Sequence, residues 1–144
     1  MPDTATMPRA LIVEDEIVIA MDLEAQMKKL GFDICGVTSN AREALSLAME
    51  DPPDLAIMDI YLNGARDGIE VARQILNLFA TPVIFITAYS DDDGLMERIR
   101  RHVPEAIVLP KPLYGNRLAD TINRLEQDRA GARDSRLTGL PLEE

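Results

Sequence analysis

Five short apolar, β-rich runs recur along the chain, each followed by a longer segment of helical period. They are Ala10–Val13, about Asp33–Val37, Leu55–Met58, Val83–Ile86 and Ala106–Leu109. Continuous rather than alternating apolarity marks strands buried on both faces, the condition of a parallel sheet covered by helices on both sides. The intervening segments supply those helices: about Ile17–Leu30, closed by Gly31; one capped by Ser39 or Asn40 and running to about Met49; Ile69–Leu78; about Asp93–Arg101; and one starting near Tyr114–Gly115. Ile69, Val71, Ala72, Ile75 and Leu76 make an inner face for the third helix. Right-handed crossovers turn this alternation into a doubly wound α/β fold. Residues 9–127 form the expected domain, and the polar stretch 128–144, without a clear period, reads as a flexible tail.

In a doubly wound sheet, ligands sit beyond the carboxyl ends of the strands. The residues there are Glu14, Asp15 and Glu16 after the first strand, Asp59 after the third, Thr87 after the fourth and Lys111 after the fifth. Glu14, Asp15 and Asp59 would converge, and their mutual repulsion calls for a cation. An all-oxygen site with room for water suits Mg²⁺. Lys111 adds a compact positive charge, while the Thr87 hydroxyl and the Ala88 amide can donate to phosphoryl oxygens. Asp59, alone at its strand end, is the expected nucleophile for an acyl phosphate, with Glu14 and Asp15 as a metal pair. Glu16 reads as a helix cap or a solvated carboxylate. Pro110 and Pro112 bracket Lys111, as in a tight turn that can hold a cis bond.

Those residues resemble the receiver domain of two-component response regulators over roughly Arg9–Gln127. The segments ALIVEDE, PDLAIMDIYL, PVIFITAYS and LPKPL carry the likeness, together with Gly68 in LNGARDGIEVA. The resemblance implies a flavodoxin-like sheet of order 2-1-3-4-5 and phosphorylation of Asp59 by a histidine kinase or a histidine phosphotransfer protein. It further implies Mg²⁺ held by Asp15, Asp59 and the Tyr61 carbonyl, with Glu14 acting through water. Thr87 and Lys111 would hold phosphoryl oxygens, and a cis proline would follow at Pro112. Such a domain is not an enzyme in the ordinary sense, catalysing only its own phosphorylation and slow dephosphorylation. Two positions depart from the pattern: Val108 stands where many receivers have a switch aromatic, and Leu113 where phenylalanine is common. Tyr89 is the candidate substitute switch residue.

The working mechanism is a two-state switch in which Thr87 moves toward the phosphoryl group and the fourth strand and helix follow. The face formed by the fourth helix, fifth strand and fifth helix would then meet an unknown downstream partner or a second copy. Arg98, Arg100, Arg101 and His102 end the fourth helix, where cations suit the helix dipole. A net charge of −10 argues against direct nucleic-acid binding. The absence of a long apolar run or a leader argues against a membrane and for the cytoplasm. The lone Cys35 reads as a buried, inert thiol. Rival readings are a haloacid dehalogenase-type phosphohydrolase, whose second acid would fall at Tyr61, and a receiver used only for dimerisation. The chain reads as a stand-alone receiver or as a piece of a longer regulator.

Overall fold

The computed structural model describes residues 7–62 and 67–137. Five strands form one parallel sheet: β1 Arg9–Val13, β2 Asp33–Thr38, β3 Leu55–Met58, β4 Val83–Thr87 and β5 Ile107–Pro110. Their order is β2-β1-β3-β4-β5, so the expected order and parallel arrangement hold. Four helices alternate with them: α1 Ile17–Lys29, α2 Ala41–Glu50, α3 Asp67–Phe79 and α4 Asp93–His102. A fifth, α5 Arg117–Leu137, follows the sheet. The chain divides into two compact units, Met1–Pro112 with the whole sheet and Leu113–Glu144 with α5.

Alternation along the strands sorts the first unit's core. Leu11 and Val13, Ala56 and Met58, and Val83 and Phe85 point into one cluster with Ala41, Ala44 and Ala48 of α2, Ile75 of α3, and Leu95 and Ile99 of α4. Ala10, Ile12, Ile57 and Ile84 are equally buried but belong to the opposite face. The buried residues of α1, Ala20, Leu23 and Met27, also stand outside that cluster. Helices therefore cover both faces, and strands buried on both sides explain their unbroken apolarity.

Local chemistry sets several ends. Asn40 rather than Ser39 caps α2, its Oδ1 accepting from Glu43 N at 2.9 Å, and Asp92 caps α4 through Leu95 N at 3.0 Å. In the last turn of α4, Arg100 pairs with Glu97 at 2.7 Å and Arg101 with Glu97 at 4.0 Å. Cys35 falls at a register shift between β1 and β2, its thiol donating toward Ala10 O at 3.5 Å; burial pushes that thiol up.

The expected tail from Asp128 is corrected through Leu137, where α5 continues. Apolar period reports burial, not helicity. The segment DRAGARDSRL is rich in the helix formers alanine and arginine and lacks proline. Among the described residues no helix is long and apolar enough to cross a membrane.

Phe85, fully buried in the middle of the sheet, gives a direct test of this packing. Phe85→Ala should lower the unfolding free energy by about 3–5 kcal/mol in urea titration.

Candidate functional site

The register brings the chemistry-bearing residues to one level. Val13 pairs with Met58, Met58 with Phe85, and Phe85 with Val108, so the residues just beyond share the carboxyl edge of the sheet. Backbone bonds carry the alignment past the strands. Asp59 N donates to Val13 O at 2.8 Å, Glu14 N to Thr38 O at 2.9 Å, and Lys111 N to Thr87 O at 2.8 Å. Glu14, Asp59, Thr87 and Lys111 are thus held by main-chain geometry rather than by flexible loops.

Lys111 Nζ lies 3.1 Å from Asp59 Oδ2, 3.2 Å from Glu14 Oε2 and 3.1 Å from Glu16 Oε1. Glu14 and Asp59 are buried, at 3% and 8% exposure, so these contacts act where water screens little. Burial pushes the Glu14 carboxyl up to about 7, and the nearby Asp59 charge adds to the rise; hydrogen bonds from Glu16 N–H and Lys111 oppose it. Burial also disfavours charge on Lys111, but its bonds to Glu14 and Asp59 outweigh this and hold the ammonium above the ordinary lysine range. Glu16 occupies the N-cap position of α1 without making a side-chain cap. Of its two expected roles the cap is corrected, while the carboxylate is 63% exposed to solvent and also reaches Lys111.

One oxygen each from Glu14, Asp15 and Asp59 lie within 4.8 Å of one another. Glu14 Oε1 is buried without a hydrogen-bond donor among the described residues, although Lys111 Nζ stands 3.1 Å away in ion-pair contact. A converging all-oxygen donor set that includes an undersatisfied buried carboxylate oxygen fits a small hard cation such as Mg²⁺. A cavity of about 300 Å³ opens alongside, lined in part by Glu14, Asp15, Ile17, Met21, Val37 and Thr38.

Thr87 is fully buried, and its Oγ1 accepts from Tyr89 N at 3.0 Å. Ala88 is exposed beside it. The ring of Tyr89 meets that of Tyr61 edge to face, with centroids 4.9 Å apart, a contact the sequence did not signal. Val108 is half-buried against the core, and the Lys111–Pro112 peptide is cis. Gly68 packs against the backbone just after β3. A Cβ there would clash with Asp59 O and stand 2.9 Å from Ile60 O, and Gly68 N donates to Ile60 O at 3.2 Å. The intervening residues 63–66 of LNGARDGIEVA lie outside the described residues.

Three acids and a lysine, gathered at the carboxyl edge of a 2-1-3-4-5 parallel sheet, define a site of the receiver class. The family model described as the response regulator receiver domain matches residues 10–123. The chain belongs to that family. It is 41% identical over 98 residues to the transcriptional regulatory protein PdtaR of Mycobacterium tuberculosis, covering 68% of this chain and 47% of that protein. It is 44% identical over 116 residues to the phyllosphere-induced regulator PhyR of Methylorubrum extorquens, covering 79% and 42%. The chain spans less than half the length of these two curated relatives. Among solved structures it is similar to the PhyR receiver domain of Erythrobacter litoralis, at TM-score 0.73 and 32% identity, covering 85% of this chain and 92% of that one. A diguanylate cyclase receiver domain from Desulfovibrio desulfuricans matches at TM-score 0.73 and 38% identity, covering 83% and 93%.

Because its Cβ would meet backbone, Gly68→Ala should force α3 and the Asp59 carbonyl apart. A loss of about 1–3 kcal/mol in urea unfolding is expected, with backbone amide shifts concentrated at Asp59 and Ile60.

Proposed function

We propose that this receiver accepts a phosphoryl group on Asp59 from a phosphohistidine of a sensor kinase or a phosphotransfer protein. The observation that carries the reading is the 3.1 Å contact between Lys111 Nζ and Asp59 Oδ2 within the acid cluster. A carboxylate oxygen of Asp59 attacks phosphorus, and the new P–O bond replaces the P–N bond to the donor imidazole, which leaves with the electron pair and is then protonated. Lys111 stays beside the reacting oxygens as their cation. The Thr87 hydroxyl and the Ala88 N–H donate to the phosphoryl oxygens, where charge gathers in transfer. Glu14, Asp15, Asp59 and the Tyr61 carbonyl would hold Mg²⁺, which when bound supplies positive charge to the phosphoryl oxygens. Once charged, the site draws in Thr87, and β4 with α4 present an altered surface to a protein partner. The family match and the placement of Tyr61 where a second acid would be needed disfavour the phosphohydrolase reading.

Asp59→Asn should abolish labelling by acetyl phosphate with Mg²⁺ present. The wild-type label should be released by hydroxylamine, as an acyl phosphate is. Labelling retained in Asp59→Asn would sink the assignment, and an unlabelled wild type would leave the dimerisation reading in its place.

Mg²⁺ should raise thermal stability, by about 2.7 kcal/mol at a hundredfold excess over Kd. Asp15→Asn should shift the midpoint of that Mg²⁺ titration upward, as read by differential scanning fluorimetry.

A further inference from the structure

Tyr61 follows Asp59 by two residues and Tyr89 follows Thr87 by two. Their edge-to-face contact, at an interplanar angle of 69°, therefore joins the segments leaving the two strand ends that carry the acid and the hydroxyl. The two rings are held unequally. Tyr61 is half-buried and packed against the apolar core, whereas Tyr89 is 52% exposed. An exposed ring flips among rotamers within nanoseconds unless something holds it. The anchored ring of Tyr61 supplies that hold, through the favoured T-shaped geometry of an aromatic pair.

Tyr89 is tied at a second point, because its backbone N–H donates to Thr87 Oγ1 at 3.0 Å. Displacing the Thr87 hydroxyl must therefore break that bond or carry the Tyr89 backbone with it, and Tyr61 resists the second course. We infer that Tyr61 is a positioning residue: its ring fixes Tyr89 and, through the Tyr89 N–H, holds the Thr87 hydroxyl in its resting arrangement. The inference rests on the reading of Asp59 as phosphoryl acceptor for its consequence, but not for the resting contact. On charging of the site, either the Tyr89 N–H bond to Thr87 Oγ1 breaks or the Tyr61–Tyr89 contact yields before Thr87 can turn.

The chain has three tyrosines and no tryptophan, so Tyr114→Phe leaves only this pair to report in the tyrosine band of the near-ultraviolet circular dichroism. In that background Tyr61→Leu, Tyr89→Leu and the double variant are compared, with Tyr61→Phe keeping the ring. Tyr61→Leu should speed hydrogen exchange at the Tyr89 amide about 2- to 10-fold, the range expected for one aromatic pair. It should also remove as much tyrosine ellipticity as the double variant, while Tyr61→Phe retains the slow exchange. Phosphorylation rates with acetyl phosphate and Mg²⁺ should change in both single variants and combine non-additively in the double.

An unchanged Tyr89 amide in Tyr61→Leu, or additive effects on rate, would overturn the inference. Should Tyr61→Leu fail to fold, Tyr89→Leu at its exposed position still tests the link: an unshifted Thr87 resonance there overturns it. The resting measurements need no phosphoryl group. Labelling that survives in Asp59→Asn would therefore defeat the proposed function while leaving the Tyr61–Tyr89 link standing.

Discussion

The ammonium of Lys111 is the contact on which the arrangement of the site depends. Three carboxylates, Glu14, Glu16 and Asp59, approach it within about 3 Å, two of them buried. Two unit charges 4 Å apart interact by about 4 kcal/mol at an effective dielectric of 20, so buried acids left together would drive one another to protonate. The cation permits the cluster to exist in the folded state, yet does not balance it. Glu14 bears the residual strain, pushed up to about 7 by burial and by Asp59. Everything that brings Lys111 to this point, above all the register of β4 with β5, is a condition for the acids to share a cleft.

That register is fixed at a distance from the charges. β3 is buried along its whole length, Leu55–Met58, and pairs with β1 on one side and β4 on the other. A slip of one residue would exchange Ala56 and Met58 with Leu55 and Ile57 between the two faces and spoil the fit of each, so packing chooses the alignment and the acids inherit it. The bonds Asp59 N to Val13 O and Lys111 N to Thr87 O then extend the ladder into the site. Gly68 closes the remaining freedom, since only the missing Cβ lets α3 begin against the Asp59 and Ile60 carbonyls. The turn after β4 leaves this frame, and there the Tyr89 N–H meets the Thr87 hydroxyl at the end of the strand.

The readable and unreadable parts of this molecule divide along physical lines. Strands covered on both faces must be continuously apolar, so LAIM and VIFI declared themselves, and the sheet topology then put Glu14, Asp59, Thr87 and Lys111 at one edge. The contact of Glu16 with Lys111 was not legible, because an acid before a helix has a strong local role as a cap and only the fold brings Lys111, far along the chain, within its reach. The Tyr61–Tyr89 contact joins two loops, whose approach no local periodicity encodes. The far end of α5 escaped for another reason. A helix polar on all sides lacks the apolar stripe by which helices are recognised, though its composition favours the helical backbone.

Charge balance also links the unusual Glu14 carboxyl to the proposed chemistry. With Glu14, Asp15, Glu16 and Asp59 ionised and Lys111 protonated, four negative charges meet one positive, leaving three in excess at the strand ends. A proton on Glu14 relieves one of them, which is the direction its carboxyl takes. A divalent cation would relieve two of them and add a partner for the buried Glu14 Oε1, which has an ion-pair contact to Lys111 but no hydrogen-bond donor among the described residues. An incoming phosphoryl group, itself dianionic near neutral pH, would meet two excess negative charges in the first case and only one in the second, softened by the largely exposed position of Glu16. The same crowding that raises the Glu14 carboxyl is therefore the physical reason that transfer to Asp59, as proposed, should require the metal rather than merely benefit from it.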